Sequence, residues 1–162
     1  MIWIWTVVGG FAGTFVMDMG ARKIQQAGFN DALGGLLGRW VLGFPKGRFA
    51  INGEVELKTP ETPFEANVGK IFHYIVGGGG VALFYPLFFE FTNFALPGNH
   101  IIGGAIFGLL SVSLTWFVQY PCFGFSIFGY KAPKGSTTTW PPAILHTAYG
   151  TTFGCVLHFA PI

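Results

Sequence analysis

The stretch from Val68 to Phe89 constrains the fold of this chain more than any other feature. Apart from one cation, Lys70, and one imidazole, His73, it consists of apolar, aromatic, glycine and proline residues. About 20 such residues are what a helix needs to cross the ~30 Å hydrocarbon layer of a bilayer. The run Gly77–Gly80 would weaken a helix in water, whereas in a membrane helix glycine lets a neighbouring backbone come close. The stretch therefore predicts a transmembrane helix that packs on at least one face and holds His73 inside it.

The composition of the whole chain agrees with a membrane protein. Of its 162 residues, 51% are hydrophobic and only 10% are charged, against about 25% charged residues in soluble domains. The length predicts a single domain over residues 1–162. The net charge of +2 is too small to indicate nucleic acid as a partner. Cys122 and Cys155 have neither a disulfide-framework nor a zinc-type spacing, so we interpret them as packing residues.

Further apolar stretches predict four transmembrane helices in total. Between the first two lies a polar loop, residues 23–67. Within that loop Ala32–Phe44 is apolar but too short to span, and it carries a charge. It therefore predicts a short helix lying in the membrane interface, or a shallow re-entrant segment. The predicted spans cover about residues 2–22, 68–91, 101–120 and 141–160.

Closely spaced glycines recur in these predicted spans. Small residues four apart leave a flat helix face on which a second helix can pack closely. No GxGxxG motif follows a strand, so these glycines do not indicate a phosphate-binding loop. The predicted fold is an all-α membrane protein of four transmembrane helices packed through glycine faces, with the short interfacial helix in the first cytoplasmic loop. The packing glycines are Gly9, Gly13, Gly77, Gly78, Gly104, Gly108, Gly150 and Gly154.

The distribution of positive charge predicts the orientation. All nine Lys and Arg residues fall in or beside the first and third loops. Cytoplasmic loops carry an excess of Lys and Arg, so both of these loops are predicted to be cytoplasmic. Both termini are then expected on the outer, periplasmic side.

This orientation brings several polar side chains to one depth near the cytoplasmic ends of the helices. Ionisable groups inside a membrane are costly and usually functional. His73 and His146 could ligate a haem iron or a transition metal, with a carboxylate as a third ligand, or form a proton relay. Alternatively the cluster is structural, with Asp18 paired to Arg22 or Arg39 and the imidazoles bonding across helices. The predicted cluster comprises Asp18, Arg22, Arg39, His73, Gln119 and His146.

A set of short motifs is distributed over nearly the whole chain. They are Met17-Asp18, Gly38-Arg39-Trp40, Gly47-Arg48-Phe49, His73-Tyr74 with Gly77, Gln119-Tyr120-Pro121 with Gly124, and His146 with Gly150 and Gly154. In these motifs the chain resembles a family of small bacterial integral membrane proteins of unknown function. The resemblance implies a four-helix protein of the bacterial inner membrane with no established activity. Where the family pattern reads Gln-Pro, this chain has an intervening tyrosine.

The hypothesis we favour from the sequence is an accessory or structural subunit of a larger membrane complex. It rests on 19 Phe and 5 Trp residues, which offer surfaces for pigments, lipids or partner helices. GxSxG and HExxH motifs are absent, so no enzymatic activity and no catalytic residue is predicted. The alternatives are a haem- or metal-binding protein that uses His73 and His146, and a small proton- or ion-coupled transporter. Expected partners are lipids, including bound lipid, and other integral membrane proteins.

Overall fold

The structure, a computed structural model, describes residues 1–27 and 34–161. These residues are largely helical and contain no β-strand. The α-helices are α1 (Ile2–Gln26), α2 (Gly34–Gly43), α3 (Gly53–Glu56), α4 (Pro63–Phe72), α5 (Phe84–Thr92), α6 (His100–Leu114), α7 (Tyr120–Cys122) and α8 (Pro141–Phe159). Two π-helical segments, in which the helix is wider than an α-helix, lie at His73–Gly80 (the first π segment) and Thr115–Gln119 (the second). Short 3-10 turns lie at Phe44–Lys46, Ile127–Gly129 and Gly135–Thr138.

Three helices of the described residues are long and apolar enough to cross a membrane. They are Ile2–Gln26, Pro63–Thr92 and His100–Cys122. The second consists of α4, the first π segment and α5, and the third of α6, the second π segment and α7. The described residues thus confirm the prediction of an all-helical protein with helices long and apolar enough to cross a membrane. The predicted count of four spans stays a prediction.

The chain divides into two compact units. The first unit comprises Met1–Ala21, His73–Ser111 and Ala143–Ile162. Its apolar core contains Tyr85, whose ring lies edge-on to Phe107 and Phe153 at centroid distances of 5.5 and 5.2 Å. Edge-to-face contacts of this kind stabilise a core beyond the area they bury. The buried members of this core are Ala82, Tyr85, Phe153 and Leu157.

Glycines hold the helices of the first unit at close range. A Cβ atom added at Gly13 would lie 2.6 Å from the carbonyl oxygen of Tyr149 in α8, and one at Gly10 would lie 2.5 Å from that of Gly78. Both distances are shorter than van der Waals contact, so only glycine fits there without movement. On α6 and α8 an added Cβ would collide with the facing helix's backbone at Gly104, Gly108, Gly150 and Gly154.

Two buried threonines of α1 differ in their hydrogen bonding. The Thr14 hydroxyl donates to the Gly10 carbonyl at 2.9 Å, whereas the buried Thr6 Oγ1 has no hydrogen-bond partner among the described residues. An unsatisfied buried hydroxyl costs about 1–3 kcal/mol. We therefore expect Thr6→Val to raise the melting temperature of the detergent-solubilised protein.

The matched substitution Thr14→Val removes an existing hydrogen bond, the one from the Thr14 hydroxyl to the Gly10 carbonyl. It should therefore lower the free energy of unfolding by about 0.5–1 kcal/mol. Thermal unfolding followed by tryptophan fluorescence measures both variants. A lower melting temperature for Thr6→Val would show that the Thr6 hydroxyl is satisfied in the protein.

The second unit comprises Arg22–Phe72 and Val112–Pro142. In it α2 packs against α4, and the chain around Gly53 pairs with the segment after α7 through a Gly53 N–H to Phe123 O hydrogen bond of 2.8 Å. A Cβ at Gly53 would lie 2.5 Å from that same oxygen, so the close approach requires glycine. The buried core comprises Leu36, Leu37, Tyr120, Phe123, Phe125 and Ala132.

The loop helix predicted over Ala32–Phe44 corresponds to α2, which begins at Gly34. Residues 32 and 33 lie outside the described residues. Leu36 and Leu37 of α2 are buried in the second unit's core, so its apolar face is covered at least in part by protein. Its placement in the membrane interface stays a prediction.

Candidate functional site

The first unit brings two of the predicted cluster residues within hydrogen-bond distance of one another. Asp18 lies on α1, and His73 is the first residue of the first π segment. The distance from His73 Nδ1 to Asp18 Oδ1 is 3.2 Å, and 28% of the His73 side chain and 23% of the Asp18 side chain are exposed. Asp18 can therefore orient the imidazole and balance a positive charge on it.

The π segment that carries His73 is shaped by its glycines. A Cβ at Gly77 would lie 3.0 Å from His73 Cδ2, so glycine leaves room for the ring to lie along the helix. The next residue, Tyr74, stacks on Phe11 of α1 at a centroid distance of 6.4 Å and an interplanar angle of 19°. Single π turns inside α-helices occur frequently at functional sites. The segment thus presents the imidazole toward α1.

His146 of α8 is held by a different partner. Its Nδ1 lies 2.8 Å from the Ser111 hydroxyl oxygen, and the same hydroxyl donates to the Gly108 carbonyl at 2.7 Å. A serine hydroxyl has one proton. Because that proton goes to Gly108, we assign the proton of the second hydrogen bond to Nδ1 of His146, which fixes the tautomer of its neutral form.

The described residues contain no group of three or more His, Cys, Asp or Glu side chains that could hold a metal ion. The structure therefore offers no third side-chain ligand for the metal site proposed at His73 and His146. A site with two protein ligands stays a prediction.

Arg39 lies in the second unit and organises the loop before α4. Its Nε and Nη2 atoms contact the two carboxylate oxygens of Glu65 at 3.0 and 3.3 Å, a forked ion pair. Further N–H groups donate to the carbonyl oxygens of Glu56, Thr59 and Pro60. The hydrogen bond that Arg39 donates to Glu65 is the main reason why the pKa of Arg39 is raised above its usual value. Arg39, considered from the sequence as a partner of Asp18, is thus engaged with Glu65 and the loop.

The remaining members of the predicted cluster also belong to the second unit. Gln119 ends the second π segment and is half-buried, and its backbone carbonyl accepts the Phe123 N–H at 3.0 Å. Arg22 is an exposed residue of α1. Of the six residues, Asp18, His73 and His146 belong to the first unit, and the structure brings Asp18 and His73 into contact.

Sequence reasoning missed two polar residues that complete these arrangements. Ser111 is one of three Ser and Thr residues in the third predicted span, with Ser113 and Thr115, and a polar side chain within an apolar span was the available signal. Glu65 forms a capping box with Thr62: the Thr62 N–H donates to Glu65 Oε2 at 2.8 Å, and the Glu65 N–H donates to the Thr62 hydroxyl at 3.2 Å. The Thr-x-x-Glu spacing is a recognisable helix-start signature.

Comparison with known proteins assigns the chain to a family of unknown function. A family model described as a protein of unknown function (DUF2938) matches residues 7–158. The chain therefore belongs to this family, and the resemblance to a family of unknown function is confirmed. A search of the curated proteins and a search of the solved structures found no match.

Proposed function

We propose that this member of a family of unknown function is a non-enzymatic, four-span protein of the bacterial inner membrane that assembles with other integral membrane proteins. Its binding surface for a partner helix is the outward face of α8. The observation that carries this proposal is a surface groove in the first unit, lined by aliphatic side chains and by threonines whose hydroxyl protons are donated within α8.

The four-span arrangement and its orientation are part of the proposal. α8 has 19 residues, a length of about 28 Å at 1.5 Å per residue, which is close to the ~30 Å hydrocarbon thickness. An even number of spans places both termini on one side. The clustering of all nine cations in or beside the first and third loops favours the periplasmic side for both termini.

The interior of the first unit is filled, and this supports a packing role over transport. Phe153 and Leu157 of α8 are completely buried, Tyr85 is 3% exposed and Ala82 is completely buried. The glycine contacts of α6 and α8 bring these helices together at backbone distance. A transporter needs a solute-binding site between its helices, whereas these side chains fill the core of the first unit.

The groove lies on the outside of the same unit. It has a volume of about 600 Å³. The hydroxyl groups of Thr147, Thr151 and Thr152 donate to backbone carbonyl oxygens one turn earlier, at 2.7, 2.8 and 2.9 Å. These threonines therefore have their donors satisfied within α8. The groove is lined by Val16, Leu109, Ala143, Ile144, Thr147, Ala148, Thr151 and Thr152.

The occupant that fits this groove is a transmembrane helix with aliphatic or aromatic side chains. Between helices in lipid there is no hydrophobic driving force, so association depends on van der Waals packing, and small residues permit it. Ala143, Thr147 and Thr151 follow at intervals of four residues, the spacing of a small-residue helix interface. The groove also lacks a charged residue that would select a lipid headgroup.

A photocrosslinking experiment with matched positions tests this proposal. A photoreactive amino acid replaces Ala148 in the groove or, as the control, the exposed Ile106 of α6, in the full chain in its native membrane. We expect position 148 to crosslink to one membrane polypeptide that position 106 does not reach. Equal crosslinking from both positions, or crosslinks to lipid alone, would overturn the proposal.

A wedge substitution provides the second test. Thr151→Trp fills the groove and should abolish the complex in native mass spectrometry after mild extraction, whereas Ile106→Trp should preserve it. A wild-type chain that carries the mass of a haem or a metal ion and no second polypeptide would instead favour the cofactor-binding alternative.

A further inference from the structure

We propose that the turn Phe44–Phe49, here called the basic turn, binds the phosphate group of an anionic phospholipid through Lys46 and Arg48. The site lies in the second unit and does not depend on the α8 groove, which belongs to the first unit. It specifies the class of lipid that this protein selects, one with a net negative charge.

Backbone hydrogen bonds give the basic turn a defined shape. The turn closes at Gly47, whose φ of +68° lies in the left-handed region that glycine adopts without strain. The Gly47 N–H donates to the Phe44 carbonyl oxygen, and the Arg48 N–H donates to the Gly43 carbonyl oxygen, both at 3.0 Å. Lys46 and Arg48 flank Gly47, so their Cα atoms are at most about 7 Å apart.

Aromatic contacts fix the basic turn to the rest of the second unit. The Trp40 Nε1–H donates to the Phe49 carbonyl oxygen at 2.8 Å, and the Trp40 ring lies edge-on to Phe44 at a centroid distance of 4.8 Å. Trp40 also lies edge-on to Phe72 and Phe123, at 6.0 and 5.6 Å. A turn held in this way loses little conformational freedom when a ligand binds to it.

The same contacts place the basic turn near the ends of two helices that can cross a membrane. Phe72 lies in the first third of the helix Pro63–Thr92, and Phe123 directly follows the helix His100–Cys122. The first turn of Pro63–Thr92 carries the charged residue Glu65, which favours the headgroup region over hydrocarbon. The basic turn therefore lies at the level of the membrane interface, where phospholipid phosphates are found.

The two cations of the basic turn have no carboxylate partner among the described residues. Lys46 and Arg48 are exposed, and the carboxylates that form ion pairs in the second unit do so with Arg39 and Lys58. A guanidinium can contact two phosphate oxygens at once, and an ammonium adds a compact positive charge beside it. A phosphate would thus balance charge that the protein itself leaves uncompensated.

The exposed Phe49 ring favours a lipid over a free phosphate. Its side chain is 65% exposed, although its ring contacts Phe44 at a centroid distance of 5.7 Å. A lipid offers apolar atoms next to its phosphate, and aromatic and basic residues together are typical of surfaces that bind lipid. The orientation in the proposed function, on which this one step rests, turns the site toward the cytoplasmic leaflet and its anionic lipids.

Native mass spectrometry of the full chain in a neutral detergent tests the site. The protein is titrated with dioleoyl phosphatidylglycerol or, as the reference, with dioleoyl phosphatidylcholine, which has the same acyl chains and no net charge. Each basic side chain near an anionic lipid contributes about a fivefold gain in affinity. We therefore expect the first phosphatidylglycerol to bind about tenfold or more tightly than phosphatidylcholine, and inorganic phosphate in excess not to displace it.

Substitutions assign this preference to the basic turn. Lys46→Gln and Arg48→Gln should each weaken phosphatidylglycerol binding about fivefold, and the double variant about tenfold or more. Lys58→Gln removes another exposed cation of the same unit and should leave binding unchanged. All three side chains are exposed, so the melting temperatures in detergent should stay close to that of the wild type.

Several results would overturn the proposal. Equal affinity of the wild-type chain for the two lipids would do so without any variant, as would equal losses in the double variant and in Lys58→Gln. Displacement by inorganic phosphate would assign the turn to a free anion, and tighter binding of a polyglutamate peptide would assign it to an acidic protein segment. None of these results depends on orientation or on the α8 groove, so the proposed function is tested separately.

Discussion

Replacing Gly150 by alanine is expected to destabilise the protein strongly. The new Cβ would collide with the backbone of α6 at Gly104 and Gly108. Backbone atoms cannot rotate away as a side chain can, so α6 and α8 must separate. Overpacking a well-filled core costs about 1–3 kcal/mol, occasionally more. We expect roughly 3 kcal/mol or more here, measured as a fall in the melting temperature in detergent.

Gly98→Ala is the matched control for this experiment. An added Cβ at Gly98 meets nothing within 4 Å, so the same chemical change should leave the melting temperature within a degree or two of the wild-type value. If Gly150→Ala and Gly98→Ala have equal melting temperatures, α6 and α8 do not pack through their glycines.

Replacing Arg39 by methionine is expected to unfold the loop that precedes α4. Methionine keeps much of the apolar stem but loses the fork to Glu65 and the hydrogen bonds to three loop carbonyl groups. Removing one partner of a largely buried ion pair costs about 3–5 kcal/mol, because the other charge is left uncompensated. We expect a lower melting temperature and faster proteolysis between residues 53 and 62.

Two comparisons isolate the cause of this effect. Lys58→Met removes the exposed ion pair with Glu54, whose side chains are 75% and 69% exposed, and exposed pairs contribute about 0–1 kcal/mol. Arg39→Lys keeps the charge but cannot reproduce the planar fork, so it should recover only part of the loss. Full recovery by lysine would mean that charge alone, and not the fork geometry, holds the loop.

The sequence predicted the helices well because their signal is local. Long apolar stretches without charge require helices in a membrane, and the predicted span at 101–120 lies inside the helix His100–Cys122. The two π segments were not predicted, since an i to i+5 hydrogen-bond pattern leaves no trace in hydropathy. Whether a π segment forms depends on what packs against the helix, and the composition of the helix does not contain that information.

The site was predicted only in part because ion-pair partners are a tertiary property. Asp18 has a cation four residues later, Arg22, and helix spacing made it an attractive partner. The structure pairs Asp18 with His73, far away in the sequence. Glu65 forms a capping box with Thr62, and the spacing of these two residues is visible in the sequence. Which cation pairs with the Glu65 carboxylate, however, depends on how α2 packs on α4.

The first π segment also determines how this protein should be compared with its relatives. An α-helix turns by about 100° per residue, and a π turn takes up an additional residue. The buried Tyr85, which follows the segment, therefore does not face the direction it would have in an uninterrupted α-helix. A relative that lacks one glycine of Gly77–Gly80 could relax to a regular helix and rotate Tyr85 out of the core. In alignments of this family, a gap at these glycines should therefore be interpreted as a change in the direction that the following side chains face. Compensating substitutions should be sought at positions 85 and 89.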